Sequence, residues 1–554
     1  MPSNSILDLP PELIHVCLSY LPLADIYTLE HLVGNTLLRS LITSSVAIAY
    51  RRALHSACVE ESPTFSHPAS SPSPVSDRLR LLRRTNERFT AFDPVHRGSL
   101  TVPFPTTSIY DLAGDVFVLG DGCGEMVDGR CTGVRVLQTR VAAAAAAKSE
   151  GLVEGVDEDV WRRINAGKPI IDFGLAVEEH DLIAMVTYVS VDQTRRQIDV
   201  SFFHFSTGAP HSQARRHVLP VQETDTAHGP PTVSIEIVGE NLAMSLFYGN
   251  AHTAERDSLH VFNWRTGMRK KSDFFPVSSP GLIFLTPRHL LLPDVRVQYF
   301  VIVEYPDSDS EVTEPALALL EFPSIMNHTE VLHVQCRVSP TAAASPNSPA
   351  SSGAPSSRFV PRAEDAIILF SFAMGRFDQQ GLLQAADDHV FVISKRPLYD
   401  KLLGGPMSRE RLSWDEWAAP AMCYIDGEDL HFRYITVTHG QRLVYIDHAA
   451  AEARAPVRIL DFNAGRFEDA RRRGAVDGPH AVVQPMEGGK PRGIVRQFRA
   501  FRKPLESTLP YVETTSKELF DWGAAIINDE CILGVQFGVI AHALSLEVLH
   551  FGEL

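Results

Sequence analysis

The chain has 554 residues, a formal net charge of −16 and 44% hydrophobic residues. That length exceeds one compact core of usual size unless the core is built from repeats. The acidic balance excludes a broad nucleic-acid footprint, which needs a basic face, and the absence of any run of about 18 apolar residues leaves no membrane-spanning helix to expect.

In chain order, residues 7–29 come first (LDLPPELIHVCLSYLPLADIYTL). They read as two short helices separated by Pro22. Pro10 and Pro11 suit a first helical turn, whose N–H groups lack partners. Leu13, Ile14, Val16, Cys17, Leu18 and Leu21 cover more than one face of the first helix. Such a helix needs a neighbour on each side. About forty residues cannot supply that from their own chain, so part of this surface is expected to meet another protein.

The segment resembles the F-box, the adaptor-binding module of SCF-type ubiquitin ligases. The shared pattern is Leu9-Pro10-x-Glu12-Leu13-Ile14, apolar Val16 and Leu18, Tyr20-Leu21-Pro22, then Ala24-Asp25-Ile26 and Leu29. In place of the family's usual Val-Cys segment and following aromatic stands His31–Leu38 (HLVGNTLL). The resemblance implies docking on the Skp adaptor, and through it on cullin and RING subunits. The docking residues it implies are Leu9, Pro10, Leu13, Ile14, Leu18, Leu21, Pro22, Asp25, Ile26 and Leu29.

The helical module is expected over residues 1–60. Residues 61–77 (ESPTFSHPASSPSPVSD) read as a disordered Ser/Pro linker. A linker helix is expected over 78–91, with Leu81, Leu82 and Phe89 on its buried side and its arginines in solvent. From about Phe92 to the end, short apolar and β-branched runs recur between turn residues. Seven units can be traced, beginning near Ser108, Phe173, Ser234, Ile283, Asp365, Phe432 and Ala524.

Self-similarity of this kind marks a propeller, whose blades bury their faces against one another and leave only short edges. A β-sandwich or two smaller all-β domains is the other arrangement compatible with these runs. Seven units average about 66 residues, above the roughly 40–45 of a WD-type blade. The excess sits in insertions expected to be disordered, at about 141–157, 307–314 and 338–358. The fold expected is therefore mainly β, a small all-α F-box module followed by a seven-bladed β-propeller over 92–554.

The chain as a whole resembles basidiomycete-type F-box proteins with a propeller-like C-terminal region. The elements that carry this are a helix like Arg78–Phe89, Trp414-Asp415-Glu416-Trp417, His439-Gly440-Gln441-Arg442, Asp461-Phe462-Asn463 and residues 529–534 (DECILG). The function implied is a substrate-recognition subunit that holds an unidentified protein target through the propeller. A scaffold acting outside a ligase is the alternative, and an enzyme using the central channel a third reading.

Other motifs carry no chemistry in context. Asp172-Phe173-Gly174 has no glycine-rich loop, strand lysine or His-Arg-Asp loop before it, as a kinase would need. Gly120–Gly124 (GDGCG) lacks the following helix of a dinucleotide fingerprint. Cys123 and Cys131 have no partners at zinc-ligand spacing. Glu178-Glu179-His180-Asp181 reads as a polar turn between strands. No catalytic residue, cofactor or metal is expected. Seven scattered cysteines and no visible secretory leader point to reduced thiols in the cytoplasm and/or nucleus.

Overall fold

The structure is a computed structural model. It describes residues 9–32, 36–62, 74–122, 130–148, 160–225, 229–248, 257–270, 277–305, 317–341, 357–403, 410–426, 436–447, 454–473, 480–482, 486–487, 490–491, 494–496, 500–537 and 544–553.

Four helices open the chain: α1 (Pro11–Tyr20), α2 (Leu23–Leu32), α3 (Thr36–Ser44) and α4 (Val46–Ala57). Ile14, Leu18, Ile26, Leu38, Ile42 and Ile48 form their shared core. The third helix forms although the family's Val-Cys continuation is missing, because Leu38 and Ile42 supply the i, i+4 apolar pair that docks it. Arg51 of α4 donates to the carbonyls of Ser19 (2.9 Å) and Leu21 (2.7 Å), satisfying acceptors that the end of α1 leaves free. Thus the N-terminal chain itself covers one side of α1.

A long helix, Val75–Ala91, follows, three residues earlier at its start than expected. Leu82 and Phe89 are buried on it as expected, and Leu79 replaces Leu81 as the third buried position. Most of the expected linker (63–73) lies outside the described residues, but its ends are ordered elements. Val59–Glu61 is a strand, and the helix takes in Val75 to Asp77.

The rest is mainly β and propeller-like. Among the described residues, four- or five-stranded sheets succeed one another along the chain. The first comprises Thr106–Ala113, Val116–Asp121, Gly133–Gln138 and Trp161–Asn165. The second runs from Ile170–Ala176 to Val218–Asp225, and the third from Thr232–Val238 to Met268–Lys270. The fourth runs from Ile283–Thr286 to Leu317–Glu321, with Glu410–Leu412 added in parallel. The fifth joins Thr329–Val338, Ile367–Phe377, Leu383–Ser394 and Met422–Asp426. The sixth begins with Thr438–His439 and Arg442–Ile446. The seventh joins Ala524–Ile527, Cys531–Phe537 and Leu544–His550, and its outer strand, His96–Thr101, comes from before the first sheet. Each of the seven runs singled out in the sequence has described residues in a different one of these sheets.

The sheets close on themselves. In the first six sheets the first strand in chain order forms one edge, and successive first strands lie side by side; in the seventh that place is taken by Ala524–Ile527, next to Thr438–His439. Separate apolar clusters fill the spaces between first and second sheets, second and third, third and fourth, fourth and fifth, fifth and sixth, and sixth and seventh. A further cluster joins the seventh to the first, with Ile526, Leu533 and Val548 against Leu112, Phe117 and Leu137. The Asn528 side chain crosses the same seam to the Gly114 carbonyl at 2.8 Å. Strand edges that would otherwise invite pairing with other chains are thereby enclosed.

Local chemistry explains the strand ends. The turns at Thr207-Gly208 and Thr266-Gly267 place glycine at φ 71° and 72°, a region other residues avoid. Each glycine N–H closes the turn at 2.8 Å, on His204 and Asn263 carbonyls. The expected insertions fare differently. Residues 306–316 and 342–356 lie outside the described residues. Residues 141–148, expected to be disordered, instead belong to a helix, Thr139–Lys148, because Ala142 and Ala143 pack into the seam between first and seventh sheets.

Candidate functional site

Two surfaces stand out. Leu9, just before α1, and Leu13, Val16 and Tyr20 on it are 39, 50, 52 and 84% exposed. The spacing of three and four residues puts Leu13, Val16 and Tyr20 on one stripe. Ile14 and Leu18 form the opposite stripe, in the helices' own core. One helix therefore carries two apolar faces, one covered and one bare.

Of the ten residues implied for docking, Leu9, Pro10, Leu13, Pro22 and Asp25 are exposed. Leu21 and Leu29 are partly buried against the helical core. Ile14, Leu18 and Ile26 are buried within it and offer a partner no surface in this arrangement. Val16 and Tyr20 on α1, and Tyr27 on α2, are exposed but absent from that set. The i, i+3, i+7 spacing of Leu13, Val16 and Tyr20 is the signal that could have found two of them.

The helices are pinned to the ring. Strand Val59–Glu61 pairs antiparallel with Phe359–Pro361, from the long connection inside the fifth sheet. Asn463 caps the helix Ala464–Arg472 and donates to the Ser56 carbonyl at 2.9 Å. Asn86 of the long helix accepts from Arg442 (3.0 Å) and Arg466 (2.6 Å). Despite burial, Arg466 and Arg442 hold the Asp461 carboxyl below its ordinary range. Residues from His439–Arg442, Asp461–Asn463 and 529–534, scattered in the sequence, line one cavity of about 60 Å³ with Ala57, Cys58 and Asn86. The Trp414–Trp417 element sits elsewhere, in the fourth–fifth core, where Trp417 Nε1 donates to the Glu321 carbonyl at 2.8 Å.

The second surface is one mouth of the ring's channel, where the turns after the first strands converge. A cavity of about 160 Å³ there is lined by Asp111, Glu178, Glu236, Arg337, His439 and Asp529 among others. Arg337 pairs with Asp111 at 2.7 Å and stands 3.9 Å from Glu236. Glu178 Oε1 has neither solvent access nor a hydrogen-bond partner. Desolvation, reinforced for Glu178 by Asp529, pushes Glu178 up to about 7. Desolvation likewise raises Glu236 and Asp172 to about 7. His439 joins Ser339 (3.0 Å) to Asp529 (2.7 Å). With Gly440 N–H on the Ser339 carbonyl, this staples turns of the fifth, sixth and seventh sheets together. Among the described residues, no group of three His, Cys, Asp or Glu side chains is arranged to hold a metal ion.

The remaining motifs resolve as structure. Asp172 of the Asp-Phe-Gly triplet sits on a first strand of the ring. Val177–His180 form one helical turn between two strands of the second sheet, closed by Asp181. Glu179 accepts from Gly239 N–H at 3.0 Å and His180 Nε2 lies 2.6 Å from the Gly239 carbonyl, so this turn locks the second sheet to the third. Cys123 lies outside the described residues; Cys131 is a buried free thiol in the first–second core.

The raised carboxyls predict a pH dependence. Between about pH 4.5 and 7 the folded state holds protons that the unfolded chain has lost, so stability falls as pH rises through that window. One group raised from 4.5 to about 7 accounts for about 2 kcal/mol between pH 5 and 7. Lys395, pushed down to about 7 by burial, acts oppositely above pH 7, where folding gains as pH rises. The histidines that burial holds below their ordinary value, His260 at about 3 together with His211 and His289, act oppositely over the same window, so the carboxyl effect is read as a difference: from pH 5 to pH 7 the denaturant midpoint of wild type should fall relative to that of Glu178→Gln.

No family model matches the chain, and no curated protein matches it. Among solved structures, it is similar to the WD40 domain of SCAP from fission yeast, with 7% identity over 82% of this chain and 97% of that one, at a TM-score of 0.33. It is also similar to a putative 6-phosphogluconolactonase from Bacteroides uniformis, with 9% identity over 73% and 100% of the two chains and a TM-score of 0.27. A third is regucalcin, a calcium-binding protein from Agrobacterium tumefaciens, with 10% identity over 55% and 86% and a TM-score of 0.22. Likeness at these scores carries no functional argument; the fold rests on the sheet order and the clusters between sheets.

Proposed function

We propose that this protein is the substrate-recognition subunit of an SCF-type ubiquitin ligase, with an F-box at its N-terminus and a seven-bladed β-propeller as its receptor. The observation that carries the reading is the bare stripe Leu13, Val16 and Tyr20 on a helix whose other stripe is already buried, with exposed Leu9 just before it. An apolar stripe of this kind suits the centre of a helix-packing interface, where a few residues supply most of the energy. The Skp adaptor is its partner in this reading, bridging to cullin and RING subunits in the cytoplasm and/or nucleus.

The mechanism is proximity. A target held by the propeller meets the ubiquitin-charged enzyme at high effective concentration, without a catalytic residue here. The pinned junction supports it, because the strand pair and the Asn463 and Asn86 contacts hold receptor and docking helices in one geometry.

The test is co-expression of the full chain with the Skp adaptor. Wild type should co-purify, and Leu13→Asp with Tyr20→Asp should lose at least 100-fold in affinity while keeping the wild-type unfolding midpoint. Absence of wild-type binding, or a double variant that binds equally, removes the ligase reading and leaves a scaffold that binds partners through the propeller.

A further inference from the structure

The channel mouth has an unbalanced charge. Arg337 serves Asp111 and Glu236. Among the described residues Glu178 has no arginine or lysine beside it, its Oε1 is buried without a hydrogen-bond partner, and Asp529 repels it while His439 attracts it. Leu175, Val177, Ile237, Val338 and Val360 supply the apolar part of the same cavity's lining, beside Asp111, Glu236 and Asp529. An aliphatic stem against such walls with a charged head on a carboxylate is the way long basic side chains bury themselves. A bare metal ion fits less well, because the described residues offer no set of three ligands.

We propose that this mouth receives a lysine or arginine side chain of a partner protein, with Glu178 as the carboxylate that pairs with it. Arg337 is the internal precedent, a guanidinium already held in the same channel by Asp111. The chain's net charge of −16 favours the approach of such a partner. The assignment rests on the substrate-receptor reading only for the source of the side chain, a target protein.

The experiment uses the full-length protein and four probes: the peptide N-acetyl-Ala-Ala-Arg-Ala-Ala-amide, its lysine and citrulline counterparts, and spermidine. Calorimetry at pH 6.5 should give at least tenfold tighter binding of the arginine or lysine peptide than of the citrulline peptide. Binding should release protons, seen as an enthalpy that changes with the buffer, because the cation ionises Glu178. Glu178→Gln should lose at least tenfold in affinity for the cationic peptide, while its unfolding midpoint stays level or rises. Equal binding of the citrulline peptide, or unchanged affinity in Glu178→Gln, overturns the site. Spermidine binding more tightly than either cationic peptide overturns the protein source. Adaptor co-purification is read at the other end of the chain, so its failure and the failure of this site are told apart.

Discussion

Gly534→Ala is expected to destabilise the ring by about 3 kcal/mol or more, at the upper end of overpacking costs. Gly534 lies on the middle of the Cys531–Phe537 strand, and a Cβ there would stand 2.0 Å from ring atoms of Trp522. That indole cannot move aside. It is 1% exposed, its Nε1 donates to Glu547 at 2.9 Å, and Phe520 lies 4.1 Å away ring to ring. It belongs to the cluster between sixth and seventh sheets, the one that also seats Phe89 of the long helix. Trp522→Ala alone should cost about 3–5 kcal/mol through the cavity it leaves. The pair then shows strong coupling: in the Trp522→Ala background, Gly534→Ala should cost little. Denaturant titration of the four proteins checks this, and simple additivity would show that the glycine is not the seat of the indole.

Arg337→Ala should cost about 3 kcal/mol at pH 7. Breaking a desolvated ion pair by removing one member strands the other, and here Asp111, Glu236 and Asp172 all lose their cation. The side chain keeps 16% of its surface exposed, so water in the channel offsets part of the loss. Two features separate this from mere cavity formation. The defect should shrink at pH 5, where the stranded carboxyls take up protons, and Asp111→Asn should restore part of the stability of Arg337→Ala. A variant as stable as wild type at pH 7 would refute the charge account of the channel.

The elements were largely legible in the sequence. Runs such as Phe173–Val189 and Ser234–Phe247 became paired strands because alternation and β-branching are local properties. The first two helices were legible from Pro10, Pro11 and Pro22 for the same reason. Misreadings arose where distant packing overrides composition. The alanine run after Val141 resembles a flexible insertion until the seventh sheet is placed against it. Ile14, Leu18 and Ile26 resembled docking residues because a helix apolar on two faces does not announce which face its own chain covers. Leu38 and Ile42 of α3, in the segment that departs from the family pattern, decided it.

By itself, then, the sequence determined the inventory: short helices, a series of β units, an acidic surface and an apolar stripe on α1. These follow from neighbours within a few positions along the chain. Only the tertiary structure decided that the sheets close, that His439–Arg442, Asp461–Asn463 and 529–534 meet at the helical junction, and that Glu178 stands in the channel with no arginine or lysine beside it among the described residues. Each depends on contacts such as Asn528 with Gly114 or Asn463 with Ser56, made across 414 and 407 residues. Local periodicity carries no information about such pairs, whereas burial and charge compensation in a closed ring are set by them.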